Sequence, residues 1–118
     1  MAHSNKSKII IISYLVLILV ISSLDGQSIS EYSFFINDKV FHFVEYFILG
    51  WMLYKFISTA KNTMKFMLFV NIFILLFPVF DEFWQQLITT NRHFDVMDIS
   101  YNILGTYAGI FYMKINNV

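Results

Sequence analysis

Four apolar stretches, each about as long as a membrane crossing, alternate with short polar connections. The first runs from Ile9 to Leu24 behind Lys6 and Lys8. The second opens at Asp38 and closes on Trp51, Tyr54 and Lys55. The third begins near Met64, stays apolar to Phe80 around Asn71 and Pro78, and continues through Asp81, Glu82, Gln85 and Gln86. The last extends from Val96 to Met113. The hydrocarbon layer of a bilayer is about 30 Å thick and takes about 20 helical residues to cross. Lipid offers the backbone no hydrogen bonds, so the Ile- and Val-rich first run, which would suggest strand in water, is predicted as helix. The expectation is an all-α, polytopic membrane protein: four transmembrane helices in an antiparallel bundle, spans about 8–25, 38–57, 64–88 and 96–113, in a single domain over residues 1–118. Read alone, the first run also fits a secretory signal peptide with Ser22 and Ser23 near a cleavage point. The retained span is the preferred reading. Pro78 predicts a kink one turn before the acidic pair.

The charges add an orientation. Lys6, Lys8, Lys55, Lys61, Lys65 and Lys114 fall at one end of the predicted helices. All eight acidic residues fall at the other, accompanied by Lys39 and Arg92. Short loops rich in Lys and Arg stay cytoplasmic, so both termini are expected inside and the acidic side outside, in a multi-pass protein of the inner (plasma) membrane. Composition agrees: 58% of residues are hydrophobic and 14% charged, where a soluble domain carries about a quarter charged. Mean hydropathy is +0.63. No cysteine is present, which excludes disulfides and thiolate chemistry. No basic surface fit for nucleic acid is visible; the inner lysines suit anionic lipid headgroups.

Helical spacing sorts the acidic side into stripes. Asp38, His42 and Glu45 stand at i, i+4 and i+7, on one face of the second helix. Glu82 shares a face with Gln85 or Gln86, and Asp98, Asn102, Gly105 and Gly109 line the fourth helix. Ionisable groups facing lipid are costly, so these stripes should face one another. Asp38, Lys39, His42, Glu45, Glu82, Gln85, Arg92, Asp98 and Asn102 are therefore candidate ligand-binding residues. Asp25, Glu31 and Asp95 read as solvated loop charges, and Asp81 stays unassigned. Lys39 reads first as a neutraliser of nearby carboxylates, Asn71 as one interhelical hydrogen bond, and Gly105 with Gly109 as close helix packing against an unidentified neighbour. Asp38, His42, Glu82 and Asp98 offer oxygen and imidazole ligands of the kind divalent metals take, but no motif as specific as His-Glu-x-x-His is present. A metal-free polar pocket ranks above a metal centre, and no cofactor is required.

Asp38-Lys39-x-x-His42, Glu82-x-x-Gln85, Arg92, Asp98 and Asn102-x-x-Gly105-x-x-x-Gly109, in this order and on these spans, resemble the VanZ-like family of small bacterial membrane proteins. The resemblance covers residues 38–109. Thr90-Asn91 stands where the family often has Pro-Gly before the Arg, and the preceding loop is one residue longer than usual, so Gln86 competes with Gln85 for the motif position. The resemblance implies a four-helix membrane protein of the cell envelope with a link to resistance against the glycopeptide teicoplanin, and it names no reaction.

Two functions follow. The first is a non-enzymatic envelope factor whose outward polar pocket binds a lipid headgroup, a lipid-linked glycan or a partner protein and modulates the cell surface. The alternative is a membrane-embedded acid/base or metal-dependent enzyme acting on a lipid headgroup or lipid-linked glycan. In it Glu82 and His42 are the catalytic candidates and Arg92 is a clamp. A transporter has less support, because polar groups confined to the outer half give no continuous path. The lipid bilayer is the expected partner, and a homo-oligomer is compatible with the sequence.

Overall fold

The computed structural model describes residues 2–23, 35–59, 63–88 and 94–116, with side chains from residues 5 and 39 onward in the first two segments and up to residue 58 in the second. Among these residues there are four helices: α1 (Ala2–Ser22), α2 (Phe35–Thr59), α3 (Met64–Ile88) and α4 (Val96–Asn116). No strand occurs among the described residues. At a rise of 1.5 Å per residue, helices of 21 to 25 residues reach about 32–37 Å, enough for a hydrocarbon layer of about 30 Å. By length and composition, α1, α2 and α3 can each cross a membrane, over Asn5–Ser22, Lys39–Ser58 and Met64–Ile88.

Local chemistry sets the helix ends. Thr63 caps α3, its Oγ1 accepting the Phe66 N–H at 3.1 Å. Asp95 caps α4, with Oδ1 accepting the Met97 N–H at 2.9 Å and its carbonyl accepting the Asp98 and Ile99 N–H groups. Such caps satisfy amides that the first helical turn leaves without partners. At the C-terminal end of α1 the Leu19 carbonyl receives the Ser23 hydroxyl at 2.8 Å and the Trp84 indole N–H at 3.1 Å. Pro78 sits buried inside α3 without ending it.

The most extensive contact is between α2 and α4. α1 lies against α2 and α3, and α3 against α4. α2 and α3 have no close backbone approach among the described residues and face each other across the middle. There Tyr46, Leu49 and Leu53 of α2 meet Ile18 of α1 and Val70 and Ile74 of α3 in a small apolar core. Glycines allow the tight α2–α4 seam. A methyl on Gly50 would overlap the Thr106 backbone, and one on Gly105 or Gly109 would overlap the Phe43 or Phe47 carbonyl. Gly105 and Gly109 therefore pack on α2, and Gly50 returns the same contact from the other side. Asn71 of α3 accepts the Tyr107 hydroxyl of α4 at 2.7 Å.

Polarity is inverted relative to a water-soluble protein. Ser22, His42, Glu45, Asp81, Glu82, Gln85, Asp98, Asn102 and Thr106 are buried, while Ile12, Val16, Val44, Leu68, Leu76, Leu104 and Phe111 are exposed. Apolar surface on this scale faces lipid far more cheaply than water.

Candidate functional site

The inward polar residues gather where the C-terminal ends of α1 and α3 meet the N-terminal ends of α2 and α4. Along the α2–α4 seam, Lys39 donates to Asp95 at 2.7 Å and also to Asp98. One turn deeper His42 is held between two residues of α4: Nδ1 lies 3.1 Å from Asn102 Oδ1, and Nε2 lies 3.5 Å from Asp98 Oδ2. Lys39, His42, Asp98 and Asn102 thus form one chain of contacts, positioned by i, i+3 and i, i+4 spacing on both helices and by the glycine seam below them.

A second group ties α1, α2 and α3 together. Asp81, fully buried, accepts the Ser22 hydroxyl at 2.5 Å and the Tyr46 hydroxyl at 2.8 Å, one on each carboxylate oxygen. Gln85 donates to Ser22 at 3.2 Å. Gln85 is buried and Gln86 exposed, which assigns the inward position to Gln85. Glu82, also fully buried, joins the two groups: its Oε1 accepts the Asp95 N–H at 3.1 Å. Glu45 is buried beside them, and its carbonyl accepts the Tyr14 hydroxyl of α1 at 2.6 Å.

Asp95 corrects its reading as a solvated loop charge. Its side chain pairs with Lys39 and caps α4, while its amide serves Glu82. The hydrogen bond from Lys39 is the main cause that holds the Asp95 carboxyl below the usual carboxylate range, against the opposing effect of burial. Ser22, Tyr46 and Asp81 also belong to the polar assembly without having been assigned to it from the sequence. Tyr46 stands four residues after His42, on the stripe already marked by Asp38 and His42, and that spacing was the available signal. Arg92, together with the side chain of Asp38, lies outside the described residues.

The arrangement suits binding and positioning. Buried carboxylates are costly unless they are paired, hydrogen-bonded or protonated. Here hydroxyl and ammonium donors of α1 and α2 and the Asp95 backbone amide converge on them. The Asn102 side-chain Nδ2 is fully enclosed and has no hydrogen-bond partner among the described residues, an uncommon state for a buried amide. Among the described residues no three His, Asp or Glu side chains come together as a metal-binding set.

A family model described as VanZ/LLP1 matches residues 3–117 of the 118-residue chain. No curated protein and no solved structure matches it.

Proposed function

Since the chain belongs to the VanZ/LLP1 family, we propose that it is a multi-pass protein of the bacterial inner (plasma) membrane that binds an envelope ligand through its buried polar end. In this reading α4 is a fourth span, both termini are cytoplasmic, and the Asp98–Glu82 end faces outward. The ligand is a lipid headgroup or a lipid-linked glycan, and its binding modulates the cell surface in the manner of teicoplanin resistance. The observation that carries the reading is the concentration of buried polar side chains at one end of helices whose outer surfaces are apolar, with the enclosed Asn102 amide lacking a partner among the described residues. A ligand oxygen would supply it.

The test is what co-purifies with the protein in mild detergent. Lipid and metal are analysed together, from wild type and from Glu82→Gln, beside the teicoplanin sensitivity of a deletion strain. Retention of an envelope lipid by wild type, reduced in Glu82→Gln, is expected. No retained lipid together with unchanged sensitivity would remove the basis of the proposal. Orientation is tested separately, because the chain has no cysteine of its own. Under a membrane-impermeant maleimide, Thr89→Cys should label in intact spheroplasts and Asn116→Cys should not.

The enzymatic alternative draws on the approach of His42 to Asp98, an imidazole–carboxylate pair of the kind used in proton transfer. Both ring nitrogens of His42 already face groups on α4, which favours a positioning role. If His42→Ala and Glu82→Gln both abolish function while leaving the fold and ligand retention intact, catalysis becomes the better account.

A further inference from the structure

At the opposite, lysine-bearing end, α1, α2 and α3 enclose a second feature of different chemistry. A groove of about 330 Å³ opens between them, within the size range of ligand sites. Leu53 and Val70, both buried, belong to the apolar core and also line the groove. Leu15, Phe56, Phe66 and Phe73 complete most of its lining, and no polar atom contributes to its surface. Lys8 also lines it but contributes only apolar surface, so its methylene stem forms part of the wall and its ammonium projects beyond. This is the usual compromise of a lysine at a membrane boundary. Lys8 is the lysine at the groove edge; Lys55 lies instead over the Trp51 ring at 4.9 Å.

We propose that this groove is a binding site for one acyl chain of an anionic phospholipid of the cytoplasmic leaflet, whose phosphate is held by Lys8. Two features select this occupant. The wall offers no donor or acceptor, so a polar ligand entering it would lose hydrogen bonds without replacement, whereas hydrocarbon restores dispersion contacts along both sides. Lys8 at its edge complements a phosphate, and basic residues at the cytoplasmic boundary attract anionic lipid. The proposal rests on the orientation proposed above, with the lysine-bearing end cytoplasmic, and is independent of any ligand at the Glu82 end.

The experiment uses the full chain in mild detergent and native mass spectrometry, with phosphatidylglycerol and phosphatidylcholine of identical acyl chains supplied in competition. Wild type should retain phosphatidylglycerol in preference to phosphatidylcholine. Lys8→Gln, at an exposed position, should reduce that preference about fivefold, the effect of one cation near an anionic headgroup. Leu15→Trp should fill the groove and abolish retention of both lipids. If the tryptophan variant does not fold, Lys8→Gln decides alone. Equal retention of the two lipids by wild type would overturn the proposal, and so would an unchanged preference in Lys8→Gln. A lipid-free dimer would also overturn it and would assign the groove to a second copy of this chain.

Discussion

Gly105→Ala tests whether the α2–α4 seam holds the polar site together. The added methyl would stand 2.5 Å from the Phe43 carbonyl oxygen, against the 3.4–4 Å of ordinary contact. Both atoms belong to helix backbones, so neither can swing aside, and the helices must part by roughly 1 Å at that level. His42 adjoins Phe43, and Asn102 lies one turn before Gly105. Their 3.1 Å contact would therefore open to roughly 4 Å, beyond hydrogen-bonding reach. Overpacking of this kind costs about 1–3 kcal/mol, and the lost hydrogen bond adds about 1 kcal/mol, giving a destabilisation of about 2–4 kcal/mol. The assay is reversible unfolding by SDS in mixed micelles, with Leu104→Ala as the control. Leu104 precedes Gly105 but is 59% exposed on the apolar outer face, so its truncation should cost under about 1 kcal/mol. Asn102→Ala supplies the decisive cycle. If Gly105→Ala acts by breaking the His42–Asn102 contact, the double variant should be less destabilised than the sum of the singles. A Gly105→Ala protein within about 0.5 kcal/mol of wild type would refute the reasoning, and so would strict additivity with Asn102→Ala.

Tyr46→Phe removes a donor from buried Asp81 and should cost about 1.5–3 kcal/mol in the same assay, the range for a hydrogen bond to a charged group; unaltered stability would show that Asp81 does not depend on it. Ser22→Ala should have the same sign, and a neutral result would detach α1 from the polar network. Lys39→Met leaves Asp98 buried without its ammonium. It should cost about 1–3 kcal/mol, less than for a fully enclosed pair because Lys39 keeps partial contact with solvent. The pH profile follows from Asp95, whose carboxyl titrates lower when folded than when unfolded. Its contribution is therefore complete above its unfolded value, near pH 4, and is lost as pH falls through the folded value. Unfolding titrations should show that acid loss in wild type and a flatter profile in Lys39→Met; identical profiles would contradict the pairing.

The four helices were legible because an apolar run long enough to cross lipid has few alternatives to helix. The meeting of His42 with Asp98 and Asn102 was legible as stripes, and Lys39 as a neutraliser of carboxylates, although the stripes left open which helices would touch. Periodicity fixes a face and not its neighbour; the pairing of α2 with α4 came from backbone contact at Gly50, Gly105 and Gly109, which one sequence cannot match to a partner. Tyr46 was hidden by abundance. In a chain with 7 Tyr and 14 Phe, an aromatic residue reads first as core or interfacial anchor, and only its hydroxyl on Asp81 separates it from the others. Asp95 had a readable position, one residue before Val96, where Asp is a favoured helix cap. Its charge suggested a loop, and capping requires only that the side chain reach the next amides.

α4 shows why hydropathy is least informative where the polar site is densest. It is not among the three helices apolar enough to qualify as spans by composition, yet its exposed positions include Leu104, Phe111 and Ile115. Its polar and small positions, Asp98, Asn102, Gly105, Thr106 and Gly109, are buried. An average over the helix cancels one face against the other. In the proposed fourth span lipid would meet only the outer face, whereas the average penalises the inner one, where Lys39 and His42 of α2 contact Asp98 and Asn102 and Thr106 bonds back to the Asn102 carbonyl. α4 therefore looks less like a span in sequence than its neighbours do. Its low average and its inverted burial have a single cause.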